Sequence, residues 1–310
     1  MKKLHFALIG RGKMGKRWEQ VLSKYTCFHS IVDTDPHKRF NGVLENEDIN
    51  AVLIVTPHKY HASLTEQAFK AGKHVLCEKP GAISSSQIKK NIELANKMGL
   101  IYKIGYNYRF HDGFIKAKKL FDKGEIGKLV FIRATHGFGG RPGYEKEWRL
   151  NKEMSGGGHL HDQGVHTIDM AKYFMGNIVK VEGMRSDMFW GAGTEDNGFV
   201  LLKNKDGVIA SIHSSLTQWK RKHTFEIYGD KGYLIIEGLG MRYGEPEKLI
   251  LGKRTKDPDK VKERIIKCDP IADHSLELEL KDFMSGSVSN AQDAYETLRI
   301  VEEVYRRDRI

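Results

Sequence analysis

The feature that most constrains the fold is a glycine-spaced turn that directly follows a short apolar run at the N-terminus. Residues 4–9 form the run, and the six residues after it are Gly10, Arg11, Gly12, Lys13, Met14 and Gly15. Apolar residues then recur at helical spacing through Met14, Trp18, Val21 and Leu22. This order of strand, glycine turn and helix is typical of a βαβ unit that binds a dinucleotide.

Each glycine of the turn has a separate predicted task. The first permits the tight turn, the second allows the backbone to approach a pyrophosphate, and the third allows helix and strand to pack closely. The helix N-terminus would then offer N–H donors and a positive dipole to the phosphates. An ordinary glycine-rich turn is the structural alternative, and the following βαβ pattern argues against it.

Asp33 ends the next predicted strand, where an acidic side chain accepts hydrogen bonds from an adenosine ribose. A carboxylate there would repel a 2′-phosphate, so the sequence favours NAD as cofactor. Lys38 and Arg39 follow closely and keep NADP open as an alternative.

The first third of the chain alternates between strand-like and helix-like segments. The strand-like runs are residues 4–9, 28–32, 51–55, 74–77 and 100–104. Helical patterns separate them, and Gly72 and Gly99 stand where two of these helices should end. Repeated strand–helix–strand units predict a parallel sheet with helices on both faces.

The rest of the chain predicts a mostly antiparallel sheet. Its strand-like runs are residues 129–135, 178–189, 199–204, 208–216, 224–228, 233–237 and 248–251, with hairpin turns at 205–207 and 229–232. Helices are expected over about 162–174, 275–283 and 290–306. The fold class is therefore α/β, with a first domain over 1–122 and a second over 123–310.

Composition narrows the environment and the partners. The chain has 310 residues, and its longest apolar runs are strand-sized, far below the roughly 20 residues that cross a bilayer. Three cysteines form no disulfide framework, so a reducing cytoplasm is expected. The net charge of +11 is spread along the chain without a nucleic-acid-binding module. It suits an anionic cofactor better than a nucleic acid.

Residues 155–169 hold the densest polar cluster, beginning with three glycines. Asp162 and His166 are four positions apart and would share one face of a helix. A carboxylate beside an imidazole can orient it, and the imidazole can then take a proton from a hydroxyl. The alternatives are an exposed histidine near a helix start, or a metal site from His159, His161 and His166. The histidine spacing fits no closed zinc pattern, so no metal is expected.

Two further segments follow predicted parallel strands, at the edge where open α/β sheets bind ligands. The first is Thr56, Pro57 and His58, and the second is Glu78, Lys79 and Pro80. A lysine in this place can polarise a substrate oxygen, although Lys-Pro pairs also occur in ordinary turns.

Taken together, the glycine turn, Glu78-Lys79-Pro80 and the Gly-Gly-Gly…Asp162…His166 segment resemble the glucose-fructose oxidoreductase / inositol dehydrogenase / rhizopine-catabolism (Gfo/Idh/MocA) family. The resemblance implies a Rossmann domain, a second domain with a large open sheet, and redox chemistry on a sugar-like carbon. It implies a catalytic group of Lys79, Asp162 and His166, a cis bond before Pro80, and homodimers or homotetramers. The cofactor-binding set would be Gly10, Arg11, Gly12, Lys13, Met14, Gly15, Asp33, Thr56, Pro57, His58, Glu78 and Lys79.

The expected substrate is a sugar, with a nucleotide-linked sugar or a sugar acid as the finer options. A glycine-rich, aromatic and basic loop over 136–158 supports this, because tryptophan stacks on sugar faces and arginine binds carboxylate or phosphate. A subunit-contact arm is the other interpretation of that loop. The predicted substrate-binding residues are Lys79, Tyr106, Arg109, Arg141, Trp148, Arg149, Asp162 and His166.

Two classes of function stay open at this stage. The first is an NAD(P)-dependent sugar dehydrogenase or ketoreductase, which includes a variant with tightly held cofactor that carries hydride between two sugars. The second is a regulatory protein that senses nicotinamide without turnover. Retention of Lys79, Asp162 and His166 favours the enzyme, since a sensor needs no acid–base group.

Overall fold

The first sheet is parallel and has the strand order β2-β1-β3-β4-β5 in the computed structural model. The structure describes residues 4–25, 27–32, 36–240, 245–257, 260–268, 273–286 and 290–308. The strands are β1 (His5–Ile9), β2 (Cys27–Val32), β3 (Ala51–Ile54), β4 (His74–Glu78) and β5 (Tyr102–Gly105). The connecting helices are α1 (Lys13–Tyr25), α2 (Pro36–Glu45), α3 (His58–Lys70) and α4 (Ser85–Met98), and α5 (Asp112–Asp122) follows β5.

The second sheet has eight strands in the order β13-β12-β11-β10-β6-β9-β8-β7. They are β6 (Leu129–Gly137), β7 (Ile178–Ser186), β8 (Asn197–Asn204), β9 (Ile209–Ser215), β10 (Lys222–Gly229), β11 (Gly232–Glu237), β12 (Lys248–Lys253) and β13 (Lys262–Lys267). All neighbouring pairs are antiparallel except β6 and β9, which run parallel. The predicted α/β class, with a parallel sheet followed by a mostly antiparallel one, is confirmed.

Between β6 and β7 the chain forms α6 (Lys152–Ser155), a π-helical turn (Leu160–Gly164) and α7 (Val165–Met175). The closing helices are α8 (Ser275–Met284) and α9 (Ala291–Arg307). Helix α8 returns to the first sheet, where the Phe283 ring lies 5.7 Å from that of Phe6. The domain boundary near residue 122 remains a prediction. The last helices nevertheless pack into the core of the first half of the chain.

The second sheet is covered on one face only. Along β8, Val200 and Leu202 are buried, whereas the alternate residues Phe199 and Leu201 are about half exposed. This alternation is the pattern of a strand with one buried and one open face. No helix within the described ranges is long and apolar enough to cross a bilayer.

The second sheet differs from the prediction at the end of one strand and has one strand that was not predicted. β7 ends at Ser186, not Phe189, because the Asp196 carboxylate accepts hydrogen bonds from the Phe189 and Trp190 N–H groups and holds a loop there. β13, whose sequence begins with Lys262, Glu263 and Arg264, does not alternate between apolar and polar residues. Only its pairing with β12 identifies it as a strand. An edge strand needs no buried face, so periodicity did not indicate it.

Candidate active site

A cavity of about 670 Å³ lies where the carboxyl edge of the parallel sheet meets the π-helical turn and the second sheet. It brings together residues that are far apart in sequence. The predicted site residues that line it are Gly10, Arg11, Gly12, Lys13, Met14, Thr56, Pro57, His58, Glu78, Lys79, Arg141, Trp148, Arg149, Asp162 and His166.

The glycine turn has the geometry that a bound dinucleotide requires. Gly10 has a φ of +103°, and a Cβ there would lie 2.8 Å from the Val55 carbonyl oxygen. A Cβ on Gly15 would lie 2.2 Å from the Gly10 carbonyl oxygen, so only glycine fits where α1 meets the turn. A Cβ on Gly12 would meet nothing within 4 Å. The space above Gly12 is therefore open to a ligand, and the N-terminus of α1 opens beside it.

Glu78 and Lys79 extend from the end of β4 into the same cavity. The Trp18 indole N–H donates to a Glu78 carboxylate oxygen at 2.8 Å, which ties α1 to this strand end. Burial raises the pKa of Glu78 above its usual range, although the Trp18 hydrogen bond and Lys79 oppose the shift. The Lys79–Pro80 peptide bond is cis, as the resemblance implies.

Asp162 is the charged centre of the site. Lys79 Nζ donates to its Oδ1 at 2.7 Å and also to its backbone oxygen. Gln163 donates to Oδ2 at 2.9 Å, and Arg149 Nε lies 3.6 Å from the same oxygen. Burial disfavours the charged carboxylate, but the cations Lys79 and Arg149 dominate and hold the pKa of Asp162 well below its usual range.

His166 is positioned differently from the sequence-based hypothesis. Its ring stacks on the Tyr108 ring with centroids 4.1 Å apart and planes 10° apart. No hydrogen bond joins it to Asp162, and its Nδ1 is buried without a partner among the described residues. Residues 160–164 wind as a π-helical turn before α7, so the geometry of an ideal α-helix does not describe the segment from Asp162 to His166. Asp162 therefore orients Lys79, and Tyr108 orients His166.

The His166 imidazole is neutral at neutral pH. Burial lowers the pKa of His166 well below its usual 6.5, and the nearby charge of Lys79 lowers the pKa further. A neutral imidazole can accept a proton, which is what hydroxyl oxidation requires of a base.

The glycine segment before Asp162 is held by a glutamate that the sequence analysis missed. Glu195 Oε1 accepts hydrogen bonds from the Gly158 and Leu160 N–H groups, each at 3.0 Å. Tyr305 of α9 donates its hydroxyl to the same oxygen at 2.6 Å. Because Glu195 lies 37 residues from Gly158, only the folded chain reveals this contact.

Two predicted substrate-binding residues do not line the cavity. Arg109 donates to both carboxylate oxygens of Asp169 and lies 2.9 Å from Asp293. These carboxylates outweigh the cost of burial and raise the pKa of Arg109. Because Asp169 lies on α7 and Asp293 on α9, the guanidinium links the two helices. Tyr106 is fully buried with its ring edge against His166. Asp33 lies outside the described residues, and its predicted ribose contact stays a prediction.

The predicted substrate loop folds over the cavity. Trp148 packs edge-on against the His58 ring at 4.9 Å, and Glu147 pairs with both Arg141 and Arg149. Beyond the predicted set, the wall includes Val55, Asn107, Tyr108, His136, Phe138, Tyr144, Gln163 and Arg221. Of these, Asn107 and Tyr108 belong to the stretch 106–109 after β5, from which the sequence predicted Tyr106 and Arg109 as the substrate-binding residues.

Histidines are numerous here, yet they form no metal centre in the described ranges. No group of three or more His, Cys, Asp or Glu side chains there could hold an ion. His159 Nε2 is enclosed without a hydrogen-bond partner among those residues.

Comparisons with known proteins agree with this geometry. A model of the oxidoreductase family with an NAD-binding Rossmann fold matches residues 14–106. A model of the GFO/IDH/MocA C-terminal domain matches residues 114–235. The two segments together span more than two thirds of the chain.

Characterised relatives act on several sugars and cyclitols. Levoglucosan dehydrogenase of Pseudarthrobacter phenanthrenivorans is 25% identical, over 76% of this chain and 74% of the relative. Myo-inositol 2-dehydrogenase of Thermotoga maritima is 29% identical, over 66% of this chain and 60% of the relative. The structure of levoglucosan dehydrogenase with NADH and levoglucosan superposes with a TM-score of 0.84 at 22% identity, over 98% and 97% of the two chains. The chain is an NAD(P)-dependent oxidoreductase of the Gfo/Idh/MocA family.

Proposed function

We propose that this protein transfers hydride between a nicotinamide cofactor and a secondary alcohol or ketone of a sugar. The observation that carries the proposal is the convergence of Lys79, Asp162 and neutral His166 on one cavity beside the glycine turn. This group can hold a hydroxyl and remove its proton. The relatives that act on levoglucosan and inositol support a sugar-like substrate.

The proton and the oxygen are handled by different side chains. Lys79 is held by Asp162 and can donate a hydrogen bond to the substrate oxygen, stabilising negative charge as it develops. His166 can accept the hydroxyl proton, and stacking on Tyr108 fixes its ring plane. The nicotinamide, when bound, supplies or accepts the hydride. In the reductive direction, protonated His166 returns the proton to the oxygen.

The cofactor preference is proposed to be NAD, with the finer choice resting on Asp33, which follows β2 in the sequence. The open space at Gly12 and the glycine-only contacts of Gly10 and Gly15 fit a dinucleotide of either kind. Lys38 and Arg39 leave NADP as the alternative cofactor. A direct comparison of NAD and NADP reduction would decide between the two.

The deciding experiment measures reduction of NAD and NADP against a panel of free and nucleotide-linked sugars. His166→Ala should lower kcat by about 10²–10⁴-fold while the NADH dissociation constant changes less than about twofold. His213→Asn is the matched control, because His213 lies on β9 outside the cavity and stacks on Phe199. Unchanged turnover in His166→Ala would refute the catalytic assignment. Firm NADH binding without turnover of any sugar would favour the sensor.

A further inference from the structure

One wall of the cavity has a histidine that the proposed mechanism does not use. His136 stands near the end of β6 directly opposite His223 of β10, and it lines the cavity while His223 does not. Both side chains are more than nine-tenths buried. The hydrogen bonds of this pair define what His136 offers to a ligand.

His136 Nδ1 has two neighbours, the Tyr108 hydroxyl oxygen at 3.3 Å and His223 Nδ1 at 3.2 Å. One of the two histidines must donate in the second contact. If His136 donated, the buried His223 Nε2, which has no partner among the described residues, would carry an orphaned N–H. If His223 donates, its Nε2 carries an unused lone pair instead. An unused lone pair costs less free energy than a buried N–H without an acceptor. His136 Nδ1 therefore accepts, and its proton is on Nε2.

Burial lowers the pKa of His136 to about 4, and the charge of Arg221 contributes to this shift. His136 is therefore neutral at neutral pH, with Nε2–H as its remaining polar group. This group is a fixed hydrogen-bond donor that has no acceptor within the described protein.

Arg221 lies two residues before His223 and lines the same cavity. Its guanidinium carbon stands 5.3 Å from the centre of the Phe138 ring, which lines the cavity as well. Across the described residues no carboxylate lies within ion-pairing distance of Arg221. By contrast, Arg141 and Arg149 pair with Glu147, and Lys79 pairs with Asp162. Glu245 lines a small cleft beside Arg221 without forming such a pair.

We propose that His136 and Arg221 form a donor-only subsite that binds an anionic substituent of the sugar, a carboxylate or a phosphate. Two donors that bond to no acceptor among the described residues match a group whose oxygens only accept, whereas a hydroxyl would leave its own proton unpaired. The Arg221 guanidinium supplies positive charge, and the His136 Nε2–H supplies a hydrogen bond of fixed direction. This inference deepens the proposed function, since it assigns a substrate class to the same cavity.

The first test compares substrates and variants. D-glucuronate, D-glucose 6-phosphate and D-glucose are assayed with NAD, and kcat/KM for at least one of the two anions should exceed that for glucose by about tenfold or more. Arg221→Gln should raise KM for the preferred anion about tenfold or more and should lower kcat/KM for glucose far less. Lys220→Gln removes a neighbouring exposed cation outside the cavity and should change neither constant.

The response of the two anions identifies the bound group. A preference for glucuronate assigns a carboxylate, and a preference for glucose 6-phosphate assigns a phosphate. Equal use of glucose, with no effect of Arg221→Gln, overturns the subsite and leaves the proposed function intact. Arg221-dependent binding of glucuronate or glucose 6-phosphate in calorimetry with NADH, together with no turnover of any sugar in the panel, refutes the proposed function and supports the subsite.

The second test needs no substrate. Nitrogen-15 spectra of histidine-labelled protein distinguish the two neutral imidazole tautomers, and His136→Gln assigns the resonance. The proposal expects an Nε2–H tautomer for His136 at neutral pH. An Nδ1–H tautomer would contradict it.

Discussion

At the scale of single residues, the chemistry depends on which side chains face each other. Motifs singled out Lys79, Asp162 and His166, and the structure brings all three to one cavity. Their pairing was not predictable, since spacing along an ideal helix suggested Asp162 beside His166. The structure places Asp162 on Lys79 and puts a tyrosine ring against His166. Which side chains pair depends on tertiary packing, and no short motif encodes that packing.

The state of His166 predicts how activity depends on pH. Alcohol oxidation needs the neutral imidazole, and burial holds the pKa of His166 well below 6.5. As pH falls, kcat/KM for oxidation should therefore stay level through 6.5 and decline only in more acidic buffer. The measurement is the pH profile of kcat/KM at saturating NAD. An acidic inflection at or above 6.5 would show that another group, or a solvated His166, limits the reaction.

At the scale of elements, the strand–turn–helix unit was the most predictable part of the chain. Gly10, Gly12 and Gly15 have three different environments, and each matches the role that its place in the motif suggests. The hydrogen bonds that hold the glycine segment before Asp162 were not predictable. They unite a loop glutamate, Glu195, with Tyr305 of α9, and neither residue belongs to a local pattern.

These environments predict opposite outcomes for two similar substitutions. Gly12→Ala adds a methyl group to open space, so the free energy of unfolding should change by less than about 0.5 kcal/mol while NADH affinity falls about tenfold or more. Gly15→Ala forces a Cβ to 2.2 Å from the Gly10 carbonyl oxygen and should destabilise the fold by about 1–3 kcal/mol. Urea unfolding and NADH fluorescence titration measure the two effects. Unaltered NADH affinity in Gly12→Ala would show that no phosphate approaches that turn.

At the scale of the whole molecule, the order of the sheets followed from hydrophobic periodicity, whereas the return of the C-terminal helices did not. Helix α8 places Leu276, Leu280 and Phe283 in the core below α1, a contact between the two ends of the chain. The open face of the second sheet keeps apolar residues such as Val179, Phe199 and Leu201 accessible. A homodimer or homotetramer that covers this face stays a prediction, since exposed apolar patches of this kind favour protein contacts.

The buried histidines predict that the whole fold is labile to acid. Burial lowers the pKa of His61, His136 and His161 to about 4 and that of His159 to about 3. In the unfolded chain these groups titrate near 6.5, so between about 6.5 and 4 the unfolded state binds more protons than the folded state. The free energy of unfolding therefore falls as pH decreases through this window. Each such histidine contributes about 1.4 kcal/mol per pH unit well inside the window.

Urea titrations at pH 7.5, 6.5 and 5.5 measure this slope directly. Between pH 6.5 and 5.5 the free energy of unfolding of the wild type should fall by several kcal/mol, because several histidines are linked to the same unfolding event. His159→Gln removes one of them and should reduce the slope by about one proton, whatever its effect on stability at pH 7.5. A free energy of unfolding that stays constant from pH 7.5 to 5.5 would mean that these rings are hydrated and able to charge in the folded protein. In that case the neutral state assigned to His166, buried among them, would fail with the rest.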